Sequence, residues 1–150
     1  MMAQSERMLL LWAMAVIVPA GFFVKFWVPG PLRHWCSAYG AAVLYEIFWI
    51  LVLRLVALRL APLKCGVIVL IVTCLLEFAQ PWHPPFLEAI RHTFIGAVLI
   101  GTTFDPWDFP HYVVGSILGV LLALAIQRRS AASQTRTRTV NRGKRRHRDC

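Results

Sequence analysis

Four long stretches of this chain are almost free of charge, and the ionisable residues gather between them. Met8 to Val24 carries no charge at all. Trp35 to Leu53 is broken only by Glu46, and Cys65 to Trp82 only by Glu77. Phe109 to Ile126 has no acid or base except His111. A surface helix of a soluble protein shows a polar face every few residues, and these blocks show none. Each is close to the roughly 20 residues that a helix needs to cross the bilayer core. The pattern predicts an all-α polytopic membrane helix bundle. Its four spans fall at about 8–28, 37–58, 63–82 and 109–127, within an integral membrane domain over 1–127.

A fifth stretch, 86–104, decides the topology. Its uninterrupted apolar part, Thr93 to Phe104, is only about 12 residues, which favours a re-entrant or interfacial segment over a crossing helix. Pro84-Pro85 imposes an extended entry, and Gly96 and Gly101 permit a bend or close backbone packing. With four spans, Arg7, Arg54, Arg59, Lys64 and the C-terminal tail share the cytoplasmic side, leaving Lys25, Arg33 and Arg91 outside. Five transmembrane helices, the alternative, would put Arg7, Arg54, Arg59 and Lys64 outside, against the positive-inside bias. Only the four-span arrangement lets residues near Glu77 and near Asp108 form one site.

The net charge of +9 belongs almost wholly to the tail. Nine of the sixteen Lys and Arg residues lie from Arg128 onward, against the single acid Asp149. Residues 128–150 are expected to be disordered and to lie against anionic lipid head groups on the cytoplasmic side; no nucleic-acid partner is expected. Hydrophobic residues make up 58% of the chain. The four cysteines, Cys36, Cys65, Cys74 and Cys150, have no metal-ligand spacing and imply no disulfide framework. Arg7 before an apolar run resembles a signal peptide, but no Ala-x-Ala site follows. The run is taken as a retained first span of a multi-pass inner-membrane protein.

Candidate chemistry lies where the spans end. Glu77 and Gln80 are three apart, so a helix puts them on one face, where a carboxylate accepts protons or holds a cation. Pairing with Arg91 or Lys25 for purely architectural reasons explains Glu77 equally well. Arg91 follows Glu88 by three and precedes His92. Its planar fork suits an anionic head group, and an internal pair with Glu88 or Glu77 is the plainer explanation. Asp105, Asp108 and His111, with His83 and His92, supply metal-ligand types without a compact motif; no metal or cofactor is implied. Asp108 also suits a helix cap before Phe109-Pro110. Glu46 sits mid-span, the costliest charge in the chain. Gly115 and Gly119 form a small-x-x-x-small helix-packing seam. Trp27, Trp35, Trp82 and Trp107 fall near span ends, as an interfacial belt requires.

The run Leu76-Glu77-Phe78-Ala79-Gln80-Pro81-Trp82-His83-Pro84-Pro85-Phe86-Leu87-Glu88-Ala89-Ile90-Arg91, then Gly96, Gly101, Phe104, Asp108-Phe109, Tyr112 and Gly115, resembles domain-of-unknown-function family 2809. Leu44-Tyr45-Glu46-Ile47-Phe48-Trp49 resembles that family's second span. The likeness covers about Leu9 to Ile126 and implies a small bacterial integral membrane protein with no established activity. A weaker likeness links Glu77, Gln80, Arg91, Asp108 and Gly115 to the VanZ-like family. Lys25, Ala41 and Ala97 depart from these patterns.

The expected role is non-enzymatic. A polar outer-face site of Glu77, Gln80, Arg91 and Asp108, with Lys25 as a further cation, engages a membrane lipid or cell-envelope amphiphile through Arg91. Two other classes stay open: an intramembrane enzyme or proton-coupled carrier using Glu77 and Asp108 as paired carboxylates, and a structural subunit docking another membrane protein through Gly115 and Gly119. An oligomer is compatible with each.

Overall fold

The computed structural model describes residues 2–31, 33–93, 96 and 104–146. Among these the chain is all helix and loop. Helix α1 spans Met2–Phe26. A short turn of helix, α2 (Arg33–Trp35), passes through a π-helical segment (Cys36–Gly40) straight into α3 (Ala41–Val56). Helix α4 is Pro62–Ala79, α5 is Pro85–Arg91 and α6 is Asp108–Arg146. Among the described residues, three helical stretches are long and apolar enough to cross a membrane: Gln4–Phe26, Pro62–Ala79 and Asp108–Ser133. Helix α3 alone, at 16 residues, is shorter, but the helical path that contains it is unbroken from Arg33 to Val56.

Contacts between the helices fix their directions. Glu6 meets Arg54 while Gly21 lies against Leu44, so α1 and α3 are antiparallel. Glu46 meets Gly115 and Ser116 while Ile50 meets Gly119, so α3 and α6 run parallel. Glu77 bonds Tyr112 while Gly66 faces Val120, so α4 opposes both. The chain therefore goes up, down, up and down. Residues 80 and 104, which bound the α5 region, lie at the same end of the bundle, because Glu77 and Asp105 touch. The proposed re-entrant segment 86–104 begins as α5; residues 94–95 and 97–103 lie outside the described residues.

The interior is built from one stripe per helix. On α6, Tyr112, Ser116, Ala123, Ile126 and Ser130 are buried, spaced by multiples of three and four. Leu10, Ile47, Leu51, Ala123 and Ile126 form one apolar cluster, and Ile50, Cys65 and Val69 a second. Outward faces carry bare apolar side chains such as Trp12, Phe22, Ile71, Leu75, Ile117 and Leu121. A soluble monomer rarely exposes so much apolar surface, whereas lipid solvates it. Gly115 and Gly119 let α6 approach α3. A Cβ on Gly115 would come within 2.7 Å of Glu46 Cβ and 2.9 Å of Val43 O, and one on Gly119 within 2.7 Å of Ile50 Cδ1. The small-residue seam is thus occupied within the chain.

Two features depart from the sequence expectation. The basic segment expected to be disordered continues α6 as far as Arg146, with 147–150 outside the described residues. After Pro110 no proline interrupts it, and Ala, Gln and Arg are strong helix formers. The second is a buried ion pair. Glu6 Oε1 accepts from Arg54 Nε at 2.9 Å and Nη2 at 2.6 Å. Arg54 Nη1 also donates to the carbonyls of Leu58 and Leu60, which ties the α3–α4 connection to α1.

Candidate functional site

Glu77 lies in the last turn of α4 and is almost completely buried, at 1% exposure. Its carboxylate collects three donors. Asp105 N–H reaches Oε1 at 2.9 Å; Gln80 Nε2 and Tyr112 Oη reach Oε2 at 2.8 and 2.9 Å. No salt bridge reaches it among the described residues. A buried carboxylate is costly unless its lone pairs are satisfied, and here neutral donors satisfy them. Neither Arg91 nor Lys25 is its hydrogen-bonded partner.

Asp105 continues the network outward. Its Oδ1 accepts from Trp107 N–H at 2.9 Å, closing a tight turn into α6, and its Oδ2 accepts from Tyr39 Oη at 3.3 Å. Tyr39 belongs to the π-helical segment and stacks on His111, with ring centroids 4.4 Å apart and planes at 15°. His111 Nδ1 lies 2.7 Å from the carbonyl of Trp107. A carbonyl only accepts, so Nδ1 carries the proton. Asp108 opens α6 and takes part through its charge, within electrostatic range of Glu77, Asp105, His111 and Lys25. Asp105, Asp108 and His111 are half-buried and Lys25 is exposed, so these four form the accessible rim above the enclosed Glu77.

Arg91 sits beside this network but serves a different purpose. Its side chain is 3% exposed. Nη2 donates to Ala79 O at 3.1 Å and Nη1 to Trp82 O at 3.0 Å and to Glu88 Oε1 at 2.9 Å. The guanidinium therefore caps the carbonyl end of α4, where a cation also opposes the helix dipole. Only Nε lacks a partner. Glu88 also takes a hydrogen bond from His83 Nδ1 at 2.8 Å. Nδ1 donates there, so its 3.3 Å approach to Arg91 Nη1 sets two donors side by side. His83 and Arg91 together hold the Glu88 carboxyl below the usual carboxylate range. His92 is the exposed C-cap of α5.

Glu46 lies deeper and is fully buried. Its Oε1 accepts from Ser116 Oγ at 2.7 Å, and its Oε2 has no partner. Among the described residues no three His, Cys, Asp or Glu side chains come together as a metal would require.

The structure thus gathers Glu77, Gln80 and Asp105 in one bonded network, with Asp108, His111 and Lys25 at its edge. It places Arg91, Glu88 and His83 in an adjoining cap and leaves Glu46 a level below. Ser116 and Tyr39 escaped the sequence reading, and Tyr112 entered it only through the family resemblance. Tyr112 and Ser116 were detectable as polar members of the three-four stripe that also holds Gly115 and Gly119. Nothing local marked Tyr39, whose role depends on the loop that meets it.

Comparison with curated proteins and with solved structures finds no match. No finding supports the weaker likeness to the VanZ-like family. The match found is to a family model described as Protein of unknown function (DUF2809). It covers residues 32–116 and so takes in Glu46, Glu77, Arg91, the Asp105–Asp108 turn and Tyr112. That is more than half of the chain, and the chain belongs to this family.

Proposed function

We propose that this protein crosses the membrane four times and receives the polar head of a membrane amphiphile at its Glu77 end, which faces away from the cytoplasm. Counting the continuous path Arg33–Val56 as the fourth span gives it a length comparable to the other three. Trp27, Trp35, Trp82 and Trp107 are exposed and all lie at the Glu77 end, as a belt at the head-group level would. Arg7, Arg59, Lys64, Arg128 and Arg129 lie at the other end, the expected cytoplasmic side of a bacterial inner membrane.

The observation that carries this reading is the bond from Asp105 N–H to the buried Glu77 carboxylate. It pins the turn entering α6, so that the Asp105 and Asp108 carboxylates stand half-buried at the rim with Lys25 beside them. Two acceptor groups and one cation complement a head group that donates from an amine or hydroxyl and carries a phosphate. Arg91 is not the anchor in this reading, because its buried bonds go to the chain itself.

Native mass spectrometry of lipid retained by Asp108→Asn and wild-type protein tests the proposal. Asp108→Asn should lower retention of an amine-bearing phospholipid about tenfold, the loss of one charge-assisted bond. Unchanged occupancy would overturn it. The docking-subunit reading has less in its favour, since α3 already fills the Gly115/Gly119 seam.

A further inference from the structure

The two buried carboxylates, Glu77 on α4 and Glu46 on α3, both bond to side chains of α6. On α4, Thr73 precedes Glu77 by four residues; on α6, Tyr112 precedes Ser116 by four. Side chains four apart share a face, one helical turn of about 5.4 Å along the axis. Tyr112 Oη bonds Glu77 at the upper level and Ser116 Oγ bonds Glu46 at the lower, where Thr73 also faces Glu46. Thr73, Glu77, Tyr112 and Ser116 are all at least nine-tenths buried. The two hydrogen-bonded pairs, Glu77–Tyr112 and Ser116–Glu46, are thus set one helical turn apart in a single file below the Asp105 turn.

Below Glu46 the file ends. Ile47, Ile50 and Leu51 are buried and belong to the two apolar clusters, which separate Glu46 from the Glu6–Arg54 pair. Glu46 itself has the features of a group that takes up a proton. One oxygen is held by a single neutral donor, and the other has no partner. No Lys or Arg pairs with it among the described residues. The titratable groups that interact with it are Tyr45 on its own helix and Cys74 on α4, and neither is a cation. Gly115 brings α6 against Glu46 Cβ and closes off lateral escape. A bare carboxylate at this depth, with one neutral bond, is costly, and binding a proton removes that cost.

We propose that Glu46 is a proton-binding site in the middle of the bundle, loaded from the Glu77 end through Tyr112 and Ser116 and sealed from the opposite end by the apolar core. This site does not depend on which amphiphile, if any, occupies the rim.

Dicyclohexylcarbodiimide tests it on the wild-type protein. The reagent reacts with a neutral carboxyl group in an apolar setting. The acid proton goes to one nitrogen and the carboxyl oxygen to the central carbon, and an O-to-N acyl shift then leaves an N-acylurea that keeps every atom of both reactants. In sealed vesicles of known orientation, with pH set separately on each face, labelling at residue 46 is read by peptide mass spectrometry. Labelling should rise as the Glu77 face is acidified, by about tenfold per pH unit while the carboxyl is mostly ionised. It should ignore the pH of the other face. After a pH step on the Glu77 face, Tyr112→Phe should slow the response several-fold. Labelling that follows the opposite face, that is blind to pH, or that never occurs at residue 46 would overturn the proposal. An unslowed Tyr112→Phe response would overturn the path.

Discussion

Asp105 donates its backbone N–H to Glu77 Oε1 across 28 residues of sequence, at 2.9 Å. This one contact joins the end of α4 to the start of α6 at one end of the bundle. The carboxylate accepts from Gln80 and Tyr112 as well. Glu77 is thus an organising centre, and the groups it organises, Asp105 and Asp108, are the ones left accessible.

Removing one donor should be felt but tolerated. Tyr112→Phe takes away a hydroxyl bonded to a buried carboxylate and should cost about 0.5–2 kcal/mol, in line with side-chain hydrogen bonds between membrane helices. Glu77→Gln should cost at least as much, because the new amide can turn only one oxygen towards three donors. Unfolding of each variant in mixed micelles by denaturing detergent measures both. Glu77→Gln as stable as the wild type would mean the three bonds contribute nothing.

Arg91→Ala should destabilise the fold by about 2–3 kcal/mol, because the Trp82 carbonyl loses its Arg91 donor, the Ala79 carbonyl keeps only Trp82 N–H, and Glu88 loses a partner. Lysine should not restore it, since a single ammonium cannot span the positions reached by the two arms of the guanidinium. Thermal unfolding of the three proteins in one detergent distinguishes this from a role in ligand binding alone, which would leave the unliganded midpoint unchanged.

The α6–α3 contact offers a graded test. Gly115→Ala places a methyl group against Val43 O and Glu46 Cβ and should cost about 1–3 kcal/mol. Gly66→Ala meets one methyl group of Val120 and no backbone atom closer than 3.9 Å, and should cost less. Equal effects on the unfolding midpoint would show that the glycines at the α3 seam have no special part.

Acid should loosen α5. The Glu88 carboxyl is held below the usual carboxylate range by His83 and Arg91. Its contribution is therefore complete above the ordinary glutamate range and fades as pH falls through the lowered value. Hydrogen exchange in the peptide covering 85–91 should rise across that window in the wild type and start higher, with little change, in Glu88→Gln. A wild-type peptide indifferent to pH would remove Glu88 from the cap.

That Glu77 and the Asp105–Asp108 turn lie at one end was legible in the sequence, because the count of Lys and Arg on either side of each span favours that arrangement over five crossings. So was the Arg91–Glu88 pair, from its spacing of three. What was not legible depends on the register between helices. Glu6 and Arg54 lie 48 residues apart and pair only because α1 and α3 pack antiparallel. Gln80 and Tyr112 meet on Glu77 because α4 and α6 oppose each other at one height. Arg91 was expected to engage a ligand, and the carbonyls of Ala79 and Trp82 at the end of α4 draw it inward instead. Composition hid the helix in the basic segment: a high charge density argues against order, while the individual residues favour helix.

The most direct test of the shared-end arrangement uses single cysteines at His83 and Trp107, both exposed, and at Arg59, in a chain whose four native cysteines are replaced. A membrane-impermeant maleimide added to intact cells should modify positions 83 and 107 alike, and position 59 only after permeabilisation. Modification of 83 and 107 from opposite sides of the membrane would contradict the structure's central contact, since Glu77 and Asp105 could not then touch.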